Sequence, residues 1–168
     1  MRRLLSALVC LLGLVTPGAR AQIDTRDAYL TLKGIDTVAV TFTGLKSDYR
    51  RLGVDEGAMR ERIEQRLRDA GLAVVSEDEA ARTPGAALIR TDVRVNITDY
   101  HLYSYSVSLK VRQKIPLPAS AESFISETIW TEGVNRMVQE SDLDRMNRDF
   151  EDLVSVLLQT HAAQNPGR

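Results

Sequence analysis

Residues 87–115 read ALIRTDVRVNITDYHLYSYSVSLKVRQKI, and their periodicity decides the fold. From Ala87 to Thr98 polar and apolar residues alternate. Ile89, Thr91, Val93, Val95 and Ile97 fall on one side, and Arg90, Asp92, Arg94 and Asn96 on the other. Successive side chains of a strand point to opposite faces, so this pattern predicts a half-buried strand. The alternation resumes after a short gap. Tyr103, Tyr105, Val107, Leu109 and Val111 share one side, and Leu102, Ser104, Ser106, Ser108, Lys110 and Arg112 share the other. The gap around Asp99 and Tyr100 makes the two segments a hairpin.

The flanking segments supply what such a hairpin needs to cover its apolar face. Residues 115–123, IPLPASAES, break the alternation with two prolines, and residues 124–133, FISETIWTEG, resume it as a third strand. Upstream, residues 36–42, DTVAVTF, alternate as a first strand. Residues 55–72, DEGAMRERIEQRLRDAGL, place Met59, Ile63 and Leu67 four apart, which stacks them on one helical face. Gly71 stands at the helix C-terminus, where a left-handed backbone favours glycine, and Leu72 is placed to fold back on the last turn. The arginines and glutamates of this helix predict a solvated face with i,i+4 pairs. A short strand, LAVV, follows at 72–75, then a polar connector, SEDEAARTPG, at 76–85. Residues 141–164 form a closing helix whose apolar face carries Leu143, Met146, Phe150, Leu153, Val154 and Leu157, with a capping box expected between Ser141 and Asp144. The expected architecture is α+β: a two-layer sandwich, with a mixed, mainly antiparallel sheet and two helices packed on one face.

The element order, with a first strand TVAVTF, a helix ending RLRDAGLAVV, then PGAALIRTDVRV and a meander, resembles a group of bacterial envelope domains. The group includes the amino-terminal domain of TolB and the periplasmic parts of curli-secretion-type and penicillin-binding-protein-activator lipoproteins. The resemblance covers Asp36 to Gly133 and is carried by element order and the AGLAVV junction. It implies a protein-binding module without catalysis and assigns a role to no residue. Several members carry a lipid-anchoring cysteine and a second domain, and neither is expected for this chain.

The amino terminus carries a separate message. Arg2 and Arg3 precede an apolar run from Leu4 to Val15, then Pro17-Gly18 and the small-x-small sequence Ala19-Arg20-Ala21. These are the parts of a secretory signal peptide. The run is shorter than the roughly 20 apolar residues a membrane span needs. The division expected is signal peptide 1–21, flexible leader 22–34, a single α+β domain 35–163 and a tail 164–168, with a periplasmic or secreted location. Cys10 lies inside the apolar run without the small residues of a lipoprotein site before it.

A chain starting at Gln22 has 22 − 3 = 19 cations against 23 acids, a net charge of −4. That balance, with export, argues against nucleic acid as a partner. It also has no cysteine, which removes thiol nucleophiles, thiolate metal sites and disulfides, so the core alone must hold the fold.

Nothing in the remaining residues assembles a reaction. His101 lies near Asp99, Ser104, Ser106 and Ser108, but no Gly-x-Ser-x-Gly elbow or glycine-rich oxyanion turn accompanies them. His161 falls late in the last helix, where it suits the helix C-terminus. Neither histidine has a metal-ligand partner at helical spacing, and no cofactor or metal is expected. Asp142, Asp144, Asp149 and Glu151 read as acids complementing the start of the last helix.

The candidate working surface is the sheet face opposite the helices. Arg90, Arg94, Lys110 and Arg112 share one parity on two paired strands and form a cationic strip with Asp92 inside it. If Phe124, Ser126, Thr128 and Trp130 face the helices, Ile125 and Ile129 point outwards beside the strip. An exposed apolar group next to charges suggests contact with another chain, either an envelope protein or a second copy. A carrier of a small molecule or lipid headgroup is the alternative, and it needs a concave pocket that a flat sheet face does not offer. A hydrolase ranks below both.

Overall fold

A computed structural model describes residues 31–45, 53–98, 102–117 and 120–167, with backbone alone for 116–125. The signal peptide, most of the leader, Asp99, Tyr100 and His101 lie outside the described residues.

Strand β1 (Thr37–Thr43) leads through helix α1 (Glu56–Asp69) to the two-residue β2 (Ala73–Val74). Helix α2 (Glu77–Arg82) leads to β3 (Ala87–Ile97), and the chain then folds back through β4 (Tyr103–Leu117) and β5 (Ser120–Val138). A 3₁₀ turn (Glu140–Asp142) precedes the last helix, α3 (Arg145–Gln164). The sheet order is β2-β1-β3-β4-β5, with β1 parallel to β2 and β3 and the rest antiparallel. This is the mixed α+β sandwich expected.

α1 forms where the sequence places it. Asp55 caps it by accepting from the Gly57 amide at 2.9 Å. Its end closes with two bonds, Leu72 N to Leu67 O at 3.0 Å and Gly71 N to Arg68 O at 2.9 Å, with Gly71 at φ +84°. That pairing satisfies two carbonyls the helix leaves open, and it turns the chain directly into β2. Met59, Ile63 and Leu67 are fully buried, each contributing about 1.5–3 kcal/mol. The arginines of α1 are not merely solvated. Arg60 donates to the Val40 carbonyl at 2.6 Å and lies 5.0 Å over the Phe42 ring, while Arg66 reaches Glu151 and Ser155 on α3. They fasten the helix layer to itself and to the sheet.

α1 and α3 cover one face, whose core runs from Val38 and Val40 through Ile89, Val93 and Val95 to Tyr105, Val107, Leu109 and Val111. Ile97 continues that parity but is 64% exposed, because β3 outruns the helices there. The short α2, capped by Ser76 at the Glu79 amide, lies against the other face near Leu88 and Arg112. A β-α-β link across β1 must pass on the side opposite α1 to keep the right-handed crossover.

Three boundaries differ from the sequence reading. Residues 31–34 were expected in a flexible leader, yet Leu32 is 2% exposed and the segment is tied to the end of α3. Gln164 Oε1 accepts from Leu32 N and Thr31 Oγ1, and Asn165 joins Gly34 N and Leu32 O. The start of the expected tail therefore serves as a clasp. β5 extends from 120 to 138, well past the expected 124–133, because strand pairing with the long β4 holds residues of low β-propensity such as Asn135. α3 starts at Arg145, and Asp144 caps it without a side-chain bond. Residues 140–142 wind as 3₁₀ instead, so the Ser141–Asp144 capping box does not form.

Candidate functional site

The open side of β3-β4-β5 is built from small residues flanked by long ones. Cross-strand pairing sets Arg90 opposite Lys110, Asp92 opposite Ser108, and Arg94 opposite Ser106. On the other flank of β4, Lys110 faces Thr131, Ser108 faces Gly133, and Ser106 faces Asn135. The serines and Gly133 leave a trough where bulkier residues would stand. The result is a shallow concavity of about 460 Å³ whose rim includes Arg94, Lys110, Thr131 and Asn135. A Cβ placed on Gly133 would lie 2.9 Å from Ser108 Cβ and 3.1 Å from Val107 O, so the floor holds only because that residue is glycine.

All four residues of the cationic strip lie on this face. Arg90 is half-buried and its Nε is 3.4 Å from Thr43 Oγ1. Arg94 is exposed and forms a two-pronged contact with Asp92, at 3.1 and 3.2 Å. Lys110 is half-buried in the trough. Arg112 stands towards the α2 end, within 3.5 Å of the Ser126 carbonyl. Exposed pairs of the Arg94–Asp92 kind add little stability and leave the charges available to a partner.

The apolar part of the expected surface is corrected. Ile129 is 5% exposed and belongs to the core. Val111 pairs with Trp130 but Arg112 pairs with Thr128, so Ile129 is an extra residue in β5. A bulge of this kind reverses the parity on either side of it. Trp130 stays on the helix side, half-buried against the core, while Ser126 and Thr128 take the open side. The Ile125 side chain lies outside the described residues; its backbone pairs with Ile115. A flat face was also expected, and the trough replaces it.

A buried polar cluster lies beneath the sheet. Tyr105 on β4 donates to Asp149 Oδ2 at 2.5 Å, and Arg136 on β5 grips both carboxylate oxygens at 2.6 and 3.0 Å. The Arg136 guanidinium holds the Asp149 carboxyl below its usual range, against the effect of burial. Burial, then the bond to Asp149, pushes the Tyr105 hydroxyl well above its ordinary value. The sequence reading missed this cluster and assigned Asp149 to the helix dipole. The available signal was position: Asp149 lies three after Met146 and four before Leu153, on the apolar stripe, where an acid needs a partner.

His161 Nε2 donates to the Ile35 carbonyl at 2.9 Å, which makes it part of the clasp on the amino-terminal segment. Among the described residues no three His, Cys, Asp or Glu side chains gather to hold a metal ion. No described helix is long and apolar enough to cross a membrane.

No protein-family model and no curated protein sequence matches the chain. Among solved structures it is similar to the hypothetical protein CT253 from Chlamydia trachomatis, with a TM-score of 0.45 and 16% identity over 77% of this chain and 99% of that one. It is also similar to a minor lipoprotein from Acinetobacter baumannii, with a TM-score of 0.37 and 16% identity over 79% of this chain and 95% of that one. Neither likeness gives specific support to the TolB resemblance.

Proposed function

We propose that the protein is an exported, non-catalytic binding module of the bacterial envelope that engages a partner through the open face of β3-β4-β5. Export rests on the amino-terminal sequence. The binding surface rests on one observation: the face the two long helices leave uncovered is a trough floored by Ser106, Ser108 and Gly133, with Arg94 and Lys110 on its rim. Rim charges of this type set the rate and salt dependence of association, and a polar trough gives it a register.

A photo-crosslinking residue placed at Ser106, in the trough, and another at Val156, exposed on α3, test this in intact cells. The Ser106 position is expected to yield a defined adduct and the Val156 position none. Arg94→Glu with Lys110→Glu is expected to remove the adduct while the thermal midpoint stays in place. An adduct from α3 alone, or one indifferent to the charge reversal, would count against the open face.

The carrier reading has one observation in its favour, the size of the trough, which falls within the roughly 300–1,000 Å³ of small-molecule sites. It ranks second because such sites enclose most of a ligand in apolar walls, and this trough is open and polar.

A further inference from the structure

We propose that a second copy of this chain pairs antiparallel along the free edge of β5, with the two-fold axis passing through Val134. Glu132 of each copy then faces Arg136 of the other. The proposal stands apart from the reading of the trough, since it concerns the strand edge and not the open face.

β5 is the last strand of the sheet, and among the described residues it pairs with β4 alone. Its outer edge offers a row of backbone donors and acceptors, which is the template another strand adds to. The bulge at Ile129 ends the regular stretch on one side, so residues 130–138 form the straight segment available. α3 packs mainly over β4 and touches β5 less, and no described strand pairs with the outer side of β5.

Edge strands are usually kept apart by charge, and β5 carries Glu132 and Arg136 on one face, four residues apart. Their spacing decides the partner. In an antiparallel pair related by a two-fold axis, directly opposed residues share a face and their numbers sum to a constant. A sum of 268 sets Val134 opposite itself, Glu132 opposite Arg136, Trp130 opposite Val138 and Thr131 opposite Met137. Every position then meets a compatible one. Opposite charges pair twice, the half-buried Trp130 and Val138 meet, and Met137, 64% exposed in one copy, gains a neighbour. An axis through Glu132 or Arg136 instead opposes like charges, which is destabilising in a cross-strand pair. Asp149 engages Arg136 through two nitrogens, and a guanidinium carries five N–H donors, so a second carboxylate can be accepted on the same group. The trough wall formed by Thr131 and Asn135 lies on the paired strand, so the open faces of the two copies become continuous.

Disulfide trapping reads both the pairing and its register. Cys10 is the only cysteine, so Cys10→Ser gives a thiol-free background. On it, Val134→Cys is expected to oxidise to a covalent dimer. Thr131→Cys and Met137→Cys are each expected to stay uncrosslinked alone, because six residues of strand, about 20 Å, separate each from its own copy. Mixing those two proteins is expected to give the heterodimer. Light scattering on the unmodified protein should report twice the chain mass, and Glu132→Arg should return it to the monomer with unchanged circular dichroism. A monomeric mass at high micromolar concentration overturns the proposal. So does a Thr131→Cys protein that crosslinks to itself as well as the mixture does, since that requires another register.

Discussion

Arg136 on β5 and Asp149 on α3 lock the last strand to the last helix through two contacts, 2.6 and 3.0 Å long. Tyr105, directly opposite Arg136 on β4, adds a third bond to the same carboxylate. Three elements thus converge on one buried side chain. Removing any member leaves the others with an unmet demand, which costs more than the bond itself.

Tyr105→Phe is expected to lower stability by about 2 kcal/mol, the range for a bond to a charged group. Asp149→Ala is expected to cost more, because it strands the tyrosine hydroxyl and the guanidinium together. Urea unfolding of the two variants checks the order. Equal losses would show that Arg136 finds solvent or another acceptor without penalty.

The same cluster fixes the pH response. Asp149 titrates lower in the folded chain than in the unfolded one, so its contribution is complete above the ordinary carboxyl value near 4 and fades as the pH falls through its folded value. Tyr105 titrates higher when folded, so its contribution holds below about pH 10 and is lost as the pH rises further. Thermal midpoints measured across both ranges are expected to drop at each end. Asp149→Asn should flatten the acid limb and Tyr105→Phe the alkaline limb. Parallel limbs in variant and wild type would remove the cluster as their origin.

Thr91 lies on the helix side of β3 and is fully buried, and its Oγ1 has no hydrogen-bond partner among the described residues. Thr91→Val keeps the shape and drops the unmet hydroxyl. A gain of about 1 kcal/mol is expected from that exchange. A loss of similar size in denaturant titrations would reveal a buried acceptor for the hydroxyl.

Gly133→Ala is expected to force β4 and β5 apart locally and to cost about 1–2 kcal/mol, since the new Cβ meets the backbone-anchored Cβ of Ser108 at 2.9 Å. Ser108→Gly in the same chain removes the closest contact but leaves the Val107 carbonyl at 3.1 Å, so it should restore part of the loss. If the double variant is no better than Gly133→Ala alone, the close approach is not what requires glycine.

Most of the fold was written in local pattern. The period of two in residues 87–98 and 102–112 determined the hairpin and the two faces, because a strand has no other way to bury alternate residues, while the register itself came from the pairing of Ala87 with Gln113 through Ile97 with Tyr103. The four-residue spacing of Met59, Ile63 and Leu67, closed by Gly71 and Leu72, determined α1 and the way it ends. The shared parity of Arg90, Arg94, Lys110 and Arg112 placed all four on one side, and they are found there.

What the sequence left open depends on residues distant along the chain. The extra residue at Ile129 sits within an alternation that looks regular, and only pairing with β4 shows where parity reverses and carries that isoleucine into the core. Leu32 reads as part of a leader until Gln164 and Asn165, more than 130 positions away, are brought against it. Asp149 reads as a helix-start acid until Tyr105 and Arg136 arrive from two strands. In each case the decisive energy is a contact between distant segments. Local propensity fixes which element forms, but burial and hydrogen bonding between elements decide which side chains end up in the core and which remain open to a partner.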